Sequence, residues 1–279
     1  MAAITAKDVK RLRDATDAGM MACKKALVEA DGDFEKAIEI LRKTGAAKAA
    51  KREGREANEG AVFVQTNADK SHAVLVELNC ETDFVARNGD FQTLGQQIAD
   101  LAEAHQPADL NALKALDMGG NTVEQAVLET SGTIGEKLDL SKYVTAAGDA
   151  VVTYIHPGAR VGVVVAFDNV NGQDVAAVGK DVAMQIAAMK PIAIDKDGIP
   201  QSIIDKEVEI GMEQARQTGK PEAILEKIAR GKLGKFFKEN TLLNQDFVKD
   251  TSKTVAQYVK GELGDVSIVA FQRLQLGTK

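Results

Sequence analysis

The chain has no tryptophan, and aromatic residues make up only 4% of its 279 positions. Its cores must therefore be assembled from Ala, Val, Ile and Leu rather than from large rings. Cysteine is nearly absent. Cys23 and Cys80 cannot make a disulfide framework, which fits a reducing compartment. Apolar runs are short, Val161 to Phe167 being typical, against the ~20 residues that span a bilayer. Met1 to Lys10 lacks the apolar stretch of a secretory signal. These absences predict a soluble, cytoplasmic protein. Positive charge is in deficit: 35 Lys and Arg stand against 41 Asp and Glu, a net charge of −6. A dedicated nucleic-acid binder usually has the opposite sign.

Catalytic and nucleotide motifs are missing as well. Gly179-Lys180 and Gly219-Lys220 lack the rest of a phosphate-binding loop, and no G-x-G-x-x-G follows a strand. There is no C-x-x-C and no H-E-x-x-H. His72, His105 and His156 are far apart in the chain. A thiol enzyme built on Cys80 with a distant histidine stays open as an alternative, beside a buried structural cysteine. The pattern predicts a protein that works by binding, with no cofactor and no metal of its own.

What is present is mainly helical at first. Thr5-Ala6-Lys7-Asp8 has the shape of a capping box. Val9 and Leu12 follow at helical spacing. A turn at Asp17-Ala18-Gly19 precedes a helix from Met20 to Ala30, with Met20, Cys23, Leu27 and Ala30 on one face. Gly32 and Asp33 stop it and start a third helix carrying Phe34, Ala37, Ile38 and Leu41. So few residues bury little area, so this unit should lean on a partner. Arg42 to Glu56 holds six bases (Arg42, Lys43, Lys48, Lys51, Arg52, Arg55) and two acids. It reads as a solvated linker or helix face, or else as a phosphate-binding patch.

From Gly60 the period changes to that of strands. Ala61–Gln65 and Ala73–Leu78 flank a polar turn, and a helix from Asp90 to His105 follows, with Phe91, Leu94, Ile98 and Leu101 as its stripe. Short helices are expected near Ala108–Leu116 and Val123–Thr130. A second strand pair, Tyr143 to His156 (interrupted at Ala146-Ala147-Gly148-Asp149) and Arg160 to Phe167, again leads into a helix, Asp174 to Met189. Gly95 precedes Pro107 by twelve positions, and so does Gly179 precede Pro191. Two related α+β subdomains with antiparallel, helix-covered sheets are predicted. Ser202–Thr218 and Glu222–Lys238 read as a projecting antiparallel helical hairpin. A helix at Thr254–Lys260 and a strand at Val266–Leu274 end the chain. The expected units are 1–55, 56–140, 141–200 with 239–279, and the hairpin 201–238.

The two halves differ in one connection. Asn79 to Asn88 joins strand to helix in the first, where the second has only Asp168 to Asn171. The longer connection carries Phe84 beside Asp83. Such a Phe is either a staple packed on its own helix or a wedge held out for a partner.

Gly19 to Leu27, Glu81 to Arg87 and His156 to Val163 closely resemble bacterial elongation factor Ts. Thr133-Ile134-Gly135-Glu136, Ile228 to Leu233 and Asp250 to Val255 fit in the same order. The resemblance spans nearly the whole chain. It implies a guanine-nucleotide exchange factor for elongation factor Tu with its bound GDP and Mg²⁺. It implies a ubiquitin-associated-like N-terminal module whose Leu12, Met20 and Met21 touch the partner. Thr82, Asp83, Phe84 and Val85 match the family's tetrad, which wedges into the partner and disturbs its Mg²⁺ site. Ile134, Gly135 and His156 match further contact positions. The family forms one-to-one and two-plus-two complexes, so a dimer is compatible with it. Some relatives carry a further C-terminal helix that packs on the partner, a contact expected to be missing here. Three positions depart from the family pattern: Asp17, Ala22 and Thr251, where Gly, Asp and Pro are common. An RNA- or ribosome-associated module, using residues 42–55 and the bases Lys227, Arg230, Lys232, Lys235 and Lys238, is the alternative.

Overall fold

The computed structural model describes residues 4–16, 18–50, 52 and 54–278, and no side chains for 46–50. Asp17, Lys51 and Glu53, and the side chain of Lys48, thus lie outside the described residues. The chain opens with α1 (Ala6–Thr16), α2 (Met20–Glu29) and α3 (Phe34–Ala50). The capping box forms as read: Thr5 N–H donates to Asp8 Oδ2 at 3.0 Å, and Asp8 N–H to Thr5 Oγ1 at 3.2 Å. Val9, Leu12, Cys23, Ala26, Leu27, Ala30 and Ala37 make a small core. Gly32 ends α2 with φ +87°, and Asp33 Oδ1 accepts from Lys36 N–H to cap α3.

The third helix is longer than its apolar stripe suggests. Its alanine-rich second half has high helix propensity, so half of the presumed linker is helix. That half lies across α7 (Val123–Ile134). The two backbones approach so closely that a Cβ on Gly132 would sit 2.9 Å from Gly45. Arg42 pairs with Glu129 at 3.1 Å beside the crossing. The small helical unit thus leans on the rest of its own chain.

The body follows as β1 (Glu59–Thr66), β2 (His72–Cys80), α4 (Asp83–Ala86), α5 (Gly89–His105), α6 (Leu110–Ala115), α7 and β3 (Leu138–Ala147). Then come β4 (Ala150–Ile155), β5 (Val161–Asp168), α8 (Ala176–Met189), α9 (Gln201–Gln217) and α10 (Leu225–Asn240). A short hairpin β6 (Asp246–Phe247) and β7 (Asp250–Thr254), then α11 (Val255–Leu263) and β8 (Ser267–Gln275), complete it. Two three-stranded antiparallel sheets have the orders β1-β2-β3 and β4-β5-β8.

The strands explain their own composition. On β1 and β2, Ala61, Phe63, Val74 and Val76 face α5, while Val62, Ala73 and Leu75 face the second sheet. On β5, Val163, Val165 and Phe167 face α8 and α11, while Val164 and Ala166 face the first sheet. The layers therefore run helix, sheet, sheet, helix. Strands covered on both faces read as nearly unbroken apolar runs.

The repeat expected from sequence is visible in this geometry. Each half is strand, turn, strand, helix, with a later strand completing the sheet. Gly95 on α5 lies against the Phe63 ring, and Gly179 on α8 lies against Val152 and the Phe167 ring. Each glycine lets its helix settle onto the sheet at the same point. Each helix then ends in a left-handed residue, Gln106 or Lys190, just before its proline.

Two corrections concern the second half. Tyr143 to Ala147 does not begin its sheet: these residues belong to β3 and pair with β2. A boundary between residues 140 and 141 would cut that strand in two. The interruption at Ala146-Ala147-Gly148-Asp149 is where the chain changes sheet, and the apolar pattern on either side of it does not say which neighbour each strand pairs with. Helices α9 and α10 pack along each other, Gly211 against Ala229. None of the described helices is long and apolar enough to cross a membrane.

Candidate functional site

Residues 82–86 form a single helical turn at the end of β2. Thr82 caps it, its Oγ1 accepting from Val85 N–H at 3.3 Å. Val85 and Ala86 turn inward onto the first core. Asp83 and Phe84 turn outward. Phe84 is 82% exposed, so the staple reading is overturned: the inward positions of so short a turn are already taken. Asp83 pairs with Arg87 at 2.9 Å one turn on.

One helical turn is not stable by itself; this one is held by its surroundings. On its far side Asn88 Oδ1 caps α5 by accepting from Asp90 N–H at 2.8 Å. Gln92 Nε2 donates to Ala86 O at 2.5 Å. On its near side the segment after α7 is the anchor. Glu136 accepts from Thr82 N–H at 3.0 Å and from Thr82 Oγ1 at 2.7 Å. Reciprocally, Glu81 accepts from Lys137 N–H at 2.6 Å. Arg55 adds an ion pair to Glu81 at 3.1 Å. The backbone hydrogen bond from Lys137, followed by the Arg55 guanidinium, outweighs burial and holds the Glu81 carboxyl below the usual carboxylate range.

The other predicted positions lie on two further stretches. Ile134 is half-buried at the end of α7, and Gly135, exposed with φ +96°, is its left-handed cap. Glu136 follows directly. His156 is exposed in the β4–β5 turn, with Tyr154 Oη 2.9 Å from its Nδ1. That turn is tied to the same end of the sheets. Arg160 pairs with Glu59, which stands opposite Cys80 in register, and Ala159 O accepts from Val62 N–H at 2.8 Å. Thr82–Val85 and Ile134–Gly135 are thus joined through Glu136, while the His156 turn is fastened to β1 by its own pair of contacts.

The N-terminal positions divide. Met21 is 75% and Met20 44% exposed, whereas Leu12 is fully buried. Leu12 is therefore core, not contact surface, because α1 turns it toward Cys23 and Leu27. Met20 likewise does not share the buried face of Cys23. The arrangement leaves two adjacent flexible thioethers in water, a common feature of binding surfaces.

Two alternative chemistries lose support. Cys80 is fully buried. Burial first, then the neighbouring Glu136 charge, pushes its thiol up to about 12, the reverse of an activated nucleophile. The basic segments are largely engaged. Arg42 and Arg55 hold carboxylates on the body, and Arg52 donates to Ser131 O. On α10, Arg230, Lys235 and Lys238 pair with Glu226, Glu239 and Asp246. Among the described residues no cluster of metal-ligating side chains occurs.

Sequence reading gave Glu81 and Glu136 no role of their own, and saw Arg55 only as one base of a solvated linker or phosphate-binding patch. Only the place of Glu81 and Glu136 inside the quoted motifs could have marked them, since Thr82 and Glu136 are 54 positions apart.

Comparison with known proteins gives the family. The family model described as "Elongation factor TS" matches residues 81–278. Elongation factor Ts of Amoebophilus asiaticus is 52% identical over 275 residues, covering 99% of both chains. That of Cytophaga hutchinsonii is 48% identical over 277 residues, covering 99% of this chain and 100% of the relative. That of Chloroherpeton thalassium is 48% identical over 289 residues and covers both completely. A mixed helix-and-sheet scaffold holding out an anchored turn is here the framework of a translation elongation factor. Within that class, the chain belongs to the elongation factor Ts family.

Proposed function

We propose that this chain is a guanine-nucleotide exchange factor for elongation factor Tu, acting by binding and without a catalytic group of its own. The observation that carries the reading is Phe84, a large apolar side chain 82% exposed on a turn anchored from both sides. Thr82, Asp83, Phe84 and Val85 form the wedge. Phe84 enters between helices of the partner, Asp83 helps hold them apart, and the partner's Mg²⁺ site is disturbed. Mg²⁺ bridges phosphate and protein oxygens. Disturbing its ligands leaves the diphosphate charge poorly compensated, so GDP leaves and GTP can load. By linkage, a factor that binds the nucleotide-poor partner best is itself weakened by GDP.

Ile134, Gly135 and His156 extend this contact around the wedge. The three N-terminal helices act as a ubiquitin-associated-like docking module through Met20 and Met21. The α9–α10 pair is a projecting arm. The place of action is the cytoplasm.

The test is release of a fluorescent GDP analogue from purified elongation factor Tu. Substoichiometric amounts of this chain should accelerate release catalytically. No acceleration by folded chain overturns the reading. Joint Met20→Ala and Met21→Ala substitution should raise the KM for elongation factor Tu about tenfold, the loss of a modest apolar contact. The melting temperature should stay within a degree or two, because Met21 is 75% and Met20 44% exposed and neither packs in the small core. A large fall in melting temperature would instead place them in the core.

A further inference from the structure

Resting on the exchange reading above, we infer that Glu136 is a positioning residue for nucleotide exchange: it sets the wedge turn and locks it to the Ile134–Gly135 contact. Three observations carry this. First, its carboxylate takes both polar hydrogens of Thr82, the backbone N–H at 3.0 Å and the hydroxyl at 2.7 Å. Bonds to an ionised acceptor are the strong ones, and with both filled the capping residue cannot rotate. Second, Glu136 is the next residue after Gly135. The wedge and the Ile134–Gly135 surface therefore share one short stretch of backbone and must approach a partner as one body. Third, β3 does not need this bond to stay in place. Leu138 already pairs with Cys80 in the ladder, and Glu81 already accepts from Lys137 N–H. The bond from Glu136 adds little to the sheet; what it fixes is the Thr82 end of the turn, whose other end is held by Gln92 and by the inward Val85 and Ala86.

The direction matters because a wedge works only in register with the surface around it. Its own four residues cannot supply that rigidity. A loosened turn would sample other orientations, and the fraction presenting Phe84 correctly would fall.

The experiment is a double-mutant cycle on the full chain, reading the maximal rate of fluorescent-GDP release from elongation factor Tu. Glu136→Ala is expected to lower that rate about tenfold, as loss of a charged hydrogen-bond pair does. Glu136→Gln should stay within about threefold of the parent, because its carbonyl can accept from Thr82 N–H while its amide donates to the hydroxyl. In a Phe84→Ala background, measured at higher factor concentration, Glu136→Ala should add no more than about a twofold further loss. Amide hydrogens of residues 82–86 should exchange faster in Glu136→Ala. Should Glu136→Ala lose cooperative unfolding, Glu136→Asp, one methylene shorter, takes its place in the cycle. Multiplicative effects of the two substitutions, or amide exchange unchanged at 82–86, would overturn the inference. If the unsubstituted chain fails to release GDP, the exchange reading itself falls, and this inference with it.

Discussion

Phe84→Ala should fold and melt like the parent chain yet promote GDP release from elongation factor Tu about 30-fold more slowly, or worse. The stability half rests on exposure. At 82% exposed, the ring is not part of the folded core, and the turn keeps its cap from Thr82, its anchor at Glu136 and its inward Val85. Removing an already hydrated side chain costs within about 0.5 kcal/mol. The exchange half rests on what a buried aromatic anchor contributes at an interface, about 2 kcal/mol or more on truncation, which is roughly 30-fold in rate or affinity. The measurement is a pair of curves: thermal unfolding, and release rate against factor concentration. A rate that returns to the parent value at saturating factor would make Phe84 a docking contact only. A rate that stays low at saturation is the result expected of a wedge.

The largest expected effect on stability comes from Gly95→Val. A Cβ at this position would lie 2.2 Å from two carbons of the Phe63 ring. That ring is buried and packed beside Phe91, their centroids 6.0 Å apart, so it has nowhere to move. Overpacking of this kind costs about 3 kcal/mol, and the melting temperature should fall by about 6–12 °C. Gly179→Val in the second half meets Val152 at 2.5 Å and should behave alike if the two halves are built on the same plan. Gly231 on α10 is the control. Nothing lies within 4 Å of its Cβ position, so Gly231→Ala should stabilise by about 0.5–1 kcal/mol through helix propensity alone. Opposite signs for Gly95 and Gly231 would place the cause in contact rather than in glycine itself. Equal signs would remove the packing argument.

Much of the architecture was legible because it is local. Hydrophobic spacing marks α5 and α8, a glycine and a proline twelve positions apart mark the seat and end of each, and polar turns mark the strand reversals. The strand read at Val266–Leu274 lies in the same unit as the second strand pair, as expected, and the structure pairs it with β5. The family was legible too, from six motifs in order, and the comparisons agree. The strand from Tyr143 was misassigned because period-2 alternation tells which side chains alternate and not which neighbour they pair with. Leu12 was misjudged for a similar reason. It is apolar, as are Met20 and Met21, and only the packing of α1 on α2 separates the buried residue from the exposed ones.

By itself, then, the amino-acid order determined most of the elements and the repeated strand-turn-strand-helix pattern, since each depends on neighbours within a few turns of chain. Only the tertiary structure decided which apolar side chains face water, that the two sheets stack on one another, and that Glu136 holds Thr82 from 54 positions away. Those outcomes depend on long-range packing and on carboxylates finding backbone donors across the fold, and no local pattern encodes them.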